Sequence, residues 1–376
     1  MNFNDIIGQD RIKSFLLQLA AGERVPHALL FLGNTGCGNL ALATAFAQLL
    51  QCENRGAGLD AQQAPSDACG ECSACRKAAT YSHPDIHFSF PTVGTNAVSS
   101  DYLKEWRKFL TETPYASAND WLQRLSAENK QGNINKEECN AIIKKLSLKA
   151  FEGRYKILVM WLPEYLGKEG NRLLKLIEEP PDQTIFLLAA ENQDQILNTI
   201  LSRCQLVKTD LLSDEEVAAG LEKRLHLDPE RARQIAFLAG GDFGEALVAA
   251  AAAETDNAAA FLDWLRKCWK GNAVELVKWT EEFAKLGREN QKQFLHYGLH
   301  FLREMMALIA TGNTQLRLRP AELIIAQNMA KVLDFEKISQ LVGLFNDNIF
   351  YVERNANPKI LFLDSSIQMN QILKGT

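Results

Sequence analysis

Short apolar runs alternate with helical repeats of apolar residues along the first two hundred positions of the chain. The repeats predict helices over residues 10–21 and 40–51, with a strand over 28–32 between them. Two further apolar runs, over 155–161 and 184–190, are typical of strands that are buried on both faces of a parallel sheet. Strands that alternate with helices in this order predict an α/β domain with nucleotide-binding topology.

The pattern changes on either side of the last predicted strand. The segment before it reads GKEGNRLLKLIEEPP and predicts a helix that Pro180 and Pro181 stop. After about residue 210 the strand signal disappears, and Ser213 with Glu216 three residues later predicts a capping box at a helix start. Amphipathic repeats continue to the last residue, so the remainder of the chain is expected to be helical.

These shifts predict three domains. An α/β domain is expected over residues 1–209, a small helical domain over 210–256 and a larger helical domain over 257–376. Residues 87–133 contain aromatic-rich helical pieces (DYLKEWRKFL, NDWLQRL) and are predicted to form an insertion in the first domain.

Composition places the chain among ordinary globular proteins. It has 376 residues, of which 47% are hydrophobic and 23% charged, and its net charge of −5 gives no overall basic footprint for nucleic acid. The first residues include acidic side chains and no continuous apolar core of a signal peptide. No run approaches the eighteen apolar residues of a membrane span. We therefore expect a cytoplasmic protein that does not bind a membrane.

Four of the eight cysteines form a compact pattern. It reads Cys52-x16-Cys69-x2-Cys72-x2-Cys75. Four thiolates at such spacing predict a closed, structural zinc site, because zinc prefers tetrahedral sulfur ligation. Two alternatives stay open, namely a set of free buried thiols and an iron–sulfur cluster. The other four cysteines are expected in the core: Cys37, Cys139, Cys204 and Cys268.

The segment between the first strand and its helix, LLFLGNTGCGNL, has the glycines of a phosphate-binding loop. Gly33, Gly36 and Gly38 are correctly spaced, but Asn39 and Leu40 stand where such a loop has lysine and then serine or threonine. Asparagine carries no charge to offset a triphosphate, and leucine cannot ligate Mg²⁺. The loop is therefore predicted to be a degenerate nucleotide loop, and an ordinary strand-to-helix turn is the alternative.

The second half of an ATPase site is missing as well. In such enzymes a second strand ends in acidic residues that hold Mg²⁺ and activate water. Here the strand over 155–161 runs into Trp161 and Leu162, and the nearest carboxylate, Glu164, comes two places late.

One arginine lies in a short polar motif after the last strand-and-helix unit. Arg203 stands between Ser202 and Cys204 in LNTILSRCQ. From spacing alone it cannot be told from a surface arginine in a solvated turn.

Five motifs in order now carry a resemblance. They are RVPHALLFLG, the four-cysteine module over about residues 52–75, SHPD (82–85), LLKLIEEPP (173–181) and TILSRCQ (199–205). Together they resemble the AAA+ clamp-loader subunits of bacterial DNA polymerase III over roughly the first 210 residues. The resemblance implies an AAA+ P-loop-type parallel-sheet domain with a zinc knuckle, a small helical lid and a C-terminal helical collar that serves oligomerisation.

Within that family, the resemblance implies the non-hydrolysing type of subunit that is called delta-prime. The motor subunits, gamma or tau, have lysine and serine or threonine where this chain has Asn39 and Leu40, and an acidic pair where it has Trp161 and Leu162. They also have a sensor arginine where GGDFGEAL (240–247) places Gly244. This chain is therefore expected not to hydrolyse ATP by itself.

The resemblance also gives Arg203 a role as an arginine finger, offered in trans to ATP on a neighbouring motor subunit. It implies a hetero-pentamer with gamma/tau and delta subunits, and through it contact with the sliding clamp and primer–template DNA during DNA replication. Two alternatives are an ATP-hydrolysing, gamma/tau-like motor subunit with an atypical loop and a zinc-containing nucleic-acid adaptor.

Overall fold

The computed structural model describes residues 1–22, 25–54, 67–126, 131–251, 257–312, 316, 318 and 320–375. The chain forms two compact units. The first comprises Met1–Ala236 with Gly240–Leu247, and the second comprises Phe237–Ala239 with Val248–Thr376. The finer division into three domains stays a prediction.

A parallel sheet organises the first unit. Its strands are β1 (Ala28–Leu32), β2 (Ile86–Ser89), β3 (Lys156–Trp161), β4 (Thr184–Ala190) and β5 (Gln205–Lys208). They are all parallel and lie in the order β2-β3-β4-β1-β5. The central strand β4 pairs with β1 through Leu30 opposite Leu188 and with β3 through Leu158 opposite Phe186. The predicted α/β domain with a parallel sheet is confirmed.

Alternate residues of the central strands serve two different cores. Leu29 and Phe31 of β1 belong to one hydrophobic cluster, whereas Leu30 and Leu32 belong to another on the opposite face. Because successive side chains of a strand point to opposite faces, a strand that is covered on both sides must be apolar at every position. This requirement explains the continuous apolar runs in the sequence.

Helices cover both faces of the sheet and form the second unit. In chain order they are α1 (Asp10–Ala21), α2 (Asn39–Gln51), α3 (Ser73–Ala79), α4 (Leu103–Glu112), α5 (Ala118–Arg124), α6 (Lys136–Leu146), α7 (Leu174–Glu178), α8 (Asn198–Leu201), α9 (Asp214–Leu225), α10 (Pro229–Ala239), α11 (Phe243–Ala251), α12 (Asn257–Lys270), α13 (Ala273–Phe283), α14 (Arg288–Thr311), α15 (Pro320–Met329), α16 (Phe335–Glu353) and α17 (Pro358–Lys374). The 3₁₀ segments are Phe3–Asp5, Ser99–Tyr102, Pro163–Leu173 and Gln193–Gln195.

Local sequence signals correctly predicted where some of these helices begin or end. α9 begins with the predicted capping box, in which the Ser213 hydroxyl accepts a hydrogen bond from the Glu216 backbone N–H. α7 ends at Glu178, just before the two prolines, as expected. The predicted helix before those prolines is shorter than expected, because Pro163–Leu173 is a 3₁₀ segment kinked at Gly167.

Sequence patterns did not reveal the two edge strands, β2 and β5. Residues 87–89 of the predicted insertion form most of β2, which pairs with β3. Further along this segment, Trp106 of α4 and Trp121 of α5 are fully buried in the same cluster as one face of the sheet. These two helices are thus part of the main core of the first unit. That residues 87–133 form an insertion stays a prediction.

Among its described residues, the second unit consists of helices joined by turns and short connections. Its core is rich in aromatic rings, and Trp264 of α12 stacks on Trp279 of α13 with centroids 5.3 Å apart. The helical C-terminal region that the amphipathic repeats predict is confirmed. In the described part of the chain, no helix is both long and apolar enough to cross a membrane.

Candidate functional site

The glycine-rich loop connects β1 to α2, and its glycines are required by the turn itself. Gly36 and Gly38 have φ values of 73° and 94°, in the left-handed region that glycine adopts without strain. Gly38 is also the N-cap residue of α2. The glycine spacing therefore has a backbone explanation that needs no bound phosphate.

Asn39, which stands where the sequence pattern leads us to expect a phosphate-binding lysine, is bound to the surrounding backbone instead. It is only 8% exposed. Its amide nitrogen donates to the Gly33 carbonyl at 2.6 Å and to the Ala190 carbonyl at 3.0 Å, while its oxygen accepts from the Thr209 hydroxyl. The side chain thus ties the loop to the end of β4 and to the residue that follows β5. Both protons of the side-chain amide are used, so this side chain has no donor left for a ligand.

Leu40, in the place of the magnesium-binding hydroxyl, packs in the hydrophobic cluster that covers one face of the sheet. An apolar side chain in this position offers no ligand atom to a cation and contributes buried area instead.

The space in front of the loop is nearly filled. The cavity there has a volume of about 20 Å³, which is room for about one water molecule. It is lined by Asn34, Thr35, Gly36, Gly38, Asn39, Leu40, Pro114, Tyr115, Ala116, Trp161, Ala189, Ala190 and Glu191. The Phe243 backbone N–H donates to the Gly36 carbonyl at 3.2 Å, and the Asp242 carboxylate lies against Gly36. The start of α11 and the Tyr115 ring therefore cover the loop, and the cavity that is left is smaller than a triphosphate.

The charges around this cavity also disfavour a phosphate. Burial raises the pKa of Asp242 and of Glu191 to about 7. Burial raises the pKa of Glu164 as well, although it accepts the Glu191 and Asn192 backbone N–H groups at 2.6 and 2.8 Å. Carboxyl groups in this arrangement repel an anionic ligand as they ionise.

Packed residues occupy the positions at which the resemblance implies an acidic pair and a sensor arginine in motor subunits. Trp161 lies in an aromatic cluster, 5.3 Å from Trp106 and 5.9 Å from Phe109 between ring centroids. A Cβ on Gly244 would lie 2.5 Å from the Tyr115 carbonyl oxygen, so a longer side chain there requires the backbone to move. These positions converge with Asn39 and Leu40 on one closed region.

Arg203 is elsewhere, directly after the single turn of α8, and it does not line that cavity. Its guanidinium donates to the Thr199 carbonyl at 2.6 Å, to the Ser202 hydroxyl at 3.2 Å, and to the Glu178 carboxylate. The side chain is 31% exposed. Arg203 is therefore held at the surface by its own helix turn and by the end of α7.

The four clustered cysteines come together as the sequence predicts. Their sulfur atoms all lie within 4.8 Å of one another, and those of Cys69 and Cys75 are 3.9 Å apart. A tetrahedral ion with bonds of about 2.3 Å to sulfur separates its ligands by about 3.8 Å, so the four side chains fit a single metal ion.

Backbone N–H groups support the cluster. Those of Cys69, Cys72 and Cys75 each donate to the sulfur of the preceding cysteine of the set at 3.4 Å. The hydrogen bond from the Cys72 N–H is the main cause that lowers the pKa of Cys69 to about 6. Such bonds stabilise thiolates, the form in which cysteine binds a metal.

Comparison with known proteins identifies the family. The sequence model of the family described as DNA polymerase III, delta subunit, matches residues 8–212, which is more than half of the chain. The chain belongs to this family. The matched residues contain all five strands of the parallel sheet, whereas most of the helical C-terminal region lies beyond them.

Individual relatives of this delta-family chain are distant. It is 25% identical to DNA polymerase III subunit gamma of Buchnera aphidicola and 27% identical to subunit tau of Bacillus subtilis, over 65% of its own length in each case. The match spans 56% and 36% of the length of those two relatives. A gamma subunit-related protein of Thermotoga maritima, solved as a crystal structure, aligns over 96% of this chain and 100% of its own, with 12% identity and a TM-score of 0.39.

The SHPD motif of this family member has a structural function that sequence reasoning did not assign. The buried carboxylate of Asp85 accepts three backbone hydrogen bonds, from Phe151 at 2.6 Å, Glu152 at 2.9 Å and Gly153 at 2.7 Å. His83 accepts the Asp85 backbone N–H through Nδ1 at 3.1 Å. The motif thus fixes the loop that leads into β3. Since the sequence pattern did not reveal β2, it gave no signal for this use of Asp85, and its backbone partners lie 66–68 residues away.

Proposed function

We propose that this chain is a non-hydrolysing, delta-prime-type subunit of a clamp loader. In this role it assembles with gamma/tau motor subunits and a delta subunit into a hetero-pentamer that loads a sliding clamp on primer–template DNA. The chain contributes a rigid stator and supplies Arg203 to ATP bound on the neighbouring motor subunit.

The observation that carries the proposal is the state of the nucleotide loop. Asn39 and Leu40 are built into the scaffold, and the cavity in front of them has a volume of about 20 Å³. Gly244 and Trp161 are equally committed to packing. Because four positions with different neighbours all favour a closed loop, specialisation explains them better than the loss of one residue.

The position of Arg203 supports the second half of the proposal. Its guanidinium is partly exposed, and a planar cation of this type binds phosphate oxygens in a bidentate manner. An arginine placed on a γ-phosphate offsets the negative charge that develops in the transition state, and this contributes on the order of 10³–10⁵ in rate.

The cysteine cluster supports a structural zinc ion in the same subunit. Cys52, Cys69, Cys72 and Cys75 offer four sulfur ligands and leave no position for a water molecule, as in closed structural sites. Zinc bound there ties α3 to the end of α2, since Cys52 directly follows α2.

The test is the ATPase of a reconstituted complex of motor, delta and this chain, measured with clamp and primed DNA. Arg203→Ala is expected to leave the complex intact by size-exclusion chromatography and to lower DNA-stimulated hydrolysis. Arg172→Ala is the matched control, because Arg172 is another exposed arginine in an ion pair, with Glu169.

An unchanged rate with Arg203→Ala would remove the finger from the mechanism. Failure of the chain to co-elute with motor and delta subunits would refute the proposed role of this chain in a clamp-loader complex.

A further inference from the structure

Two motifs that lie apart in the sequence meet at Arg203. Glu178 is the last residue of α7, in LLKLIEEPP, and Arg203 follows α8 in the Ser-Arg-Cys motif. The Glu178 carboxylate accepts a charge-assisted hydrogen bond from Nη2 of Arg203. The proposed function uses Arg203 but gives no role to Glu178.

The core fixes the relative position of these two residues. Ile177, immediately before Glu178, and Ile200, three residues before Arg203, are both buried in the same hydrophobic cluster. α7 cannot continue beyond Glu178, because Pro180 and Pro181 follow. The carboxylate therefore sits at a defined distance from the turn that carries the arginine.

The hydrogen bonds of Arg203 leave room for a ligand. A guanidinium has five N–H donors. Nη1 donates to the Thr199 carbonyl and the Ser202 hydroxyl, and Nη2 donates to Glu178, so these bonds use three donors. Among the residues that the structure describes, none accepts from the other two donors on the same rigid plane, and two is the number needed for bidentate contact with a phosphate.

We propose that Glu178 is the positioning residue for Arg203. It holds the guanidinium plane in the orientation that meets the γ-phosphate of the neighbouring subunit, so that the finger is ordered before ATP is present. Because a group that orients a catalytic side chain acts mainly on the transition state, its loss lowers kcat more than it changes KM. This inference rests on the proposed function of Arg203.

The experiment compares Glu178→Ala, Glu178→Gln and Glu179→Ala in the reconstituted complex, with Arg203→Ala as the reference. Glu179 is the next residue and is also exposed, so its removal changes the same charge without touching the contact to Arg203. We expect Glu178→Ala to lower kcat about 3- to 10-fold and to leave KM for ATP within about twofold. Glu178→Gln keeps an oxygen acceptor and is expected to retain at least about half of the rate. Glu179→Ala is expected to behave as the unmodified complex.

A double variant tests whether Glu178 acts through Arg203. In an Arg203→Ala background, Glu178→Ala is expected to have no additional effect, because there is no guanidinium left to position. Size-exclusion chromatography and thermal melting of each variant chain confirm that assembly and folding are unchanged.

The possible outcomes separate the two proposals. If Arg203→Ala slows the complex and Glu178→Ala does not, the positioning role is wrong and the finger stands. If Glu178→Ala accelerates hydrolysis, the carboxylate restrains Arg203 and the positioning role is equally wrong. If neither variant changes the rate, the proposed finger itself is wrong.

Discussion

The most informative single substitution is Asn39→Ala, because it separates a scaffold residue from a ligand-binding residue. A side chain whose only role is to bind phosphate makes no hydrogen bonds in the unliganded protein. Removal of such a side chain leaves the stability of the protein unchanged. In this chain the Asn39 amide bridges the loop, β4 and Thr209 through three hydrogen bonds, at a site that is 8% exposed.

The magnitude follows from those bonds. Each contributes about 0.5–1.5 kcal/mol, and truncation to alanine leaves the half-buried Gly33 carbonyl and the buried Ala190 carbonyl without this donor. We therefore expect a loss of roughly 2–4 kcal/mol in the free energy of unfolding of the first unit. In a domain of this size, that loss lowers Tm by about 4–16 °C.

The assay is thermal unfolding, which is monitored by circular dichroism and by differential scanning calorimetry. Asn34→Ala is the matched control, because Asn34 belongs to the same loop but is exposed, and a change of less than about 0.5 kcal/mol is expected there. Equal melting temperatures for Asn39→Ala and the unmodified chain would refute the scaffold role. Restoring the motor residues with Asn39→Lys and Leu40→Thr is expected to destabilise the unit without restoring ATP binding, because Tyr115 and Asp242 still fill the space.

Three further predictions concern buried charge and the metal. For Asp85, burial opposes ionisation, but the three backbone N–H bonds outweigh it and hold its pKa below the ordinary value. Asp85→Asn should therefore cost about 2–3 kcal/mol at pH 7, and the difference should shrink as the pH falls below about 4, because the charge is then lost from the unmodified protein. Asp242 has the opposite dependence of stability on pH, because burial raises its pKa to about 7. Stability is lost as the pH rises from about 4 towards 7, so Asp242→Asn should raise Tm by about 2–4 °C at pH 8 and by less at pH 5, while keeping an N-cap residue for α11. Elemental analysis should find about one zinc per chain, lost in Cys72→Ser and retained in Cys204→Ser, which lies outside the cluster. Iron in place of zinc, or metal retained in Cys72→Ser, would contradict the zinc site.

Sequence periodicity predicted the buried strands and failed on the edges of the sheet. β1, β3 and β4 are covered on both faces and are apolar at nearly every position, so their signal is strong. β5 is an edge strand in which only Val207 is buried, and β2 is only four residues long. Neither produces a continuous apolar run, and their pairing is decided by neighbours distant in the sequence.

Some features of the candidate sites depend on residues that are close in the sequence, and others depend on residues that are far apart in it. Three of the four clustered cysteines lie within seven residues, and their convergence could be predicted from spacing. The structural use of Asn39 could not, because its partner Thr209 is 170 residues away. The sequence shows that a lysine is absent, whereas only the fold shows what its replacement does. The contact between Glu178 and Arg203 is hidden for the same reason.

The central claim has two parts. The glycine-rich loop of this chain does not bind ATP, and the chain instead supplies Arg203 to ATP that is bound on a neighbouring subunit. Its most direct test is isothermal titration calorimetry, in which ATP with Mg²⁺ is titrated into the purified chain alone. We predict no saturable binding up to about 1 mM ATP. Saturable binding in the micromolar range, with magnesium-dependent hydrolysis by the isolated chain, would contradict it.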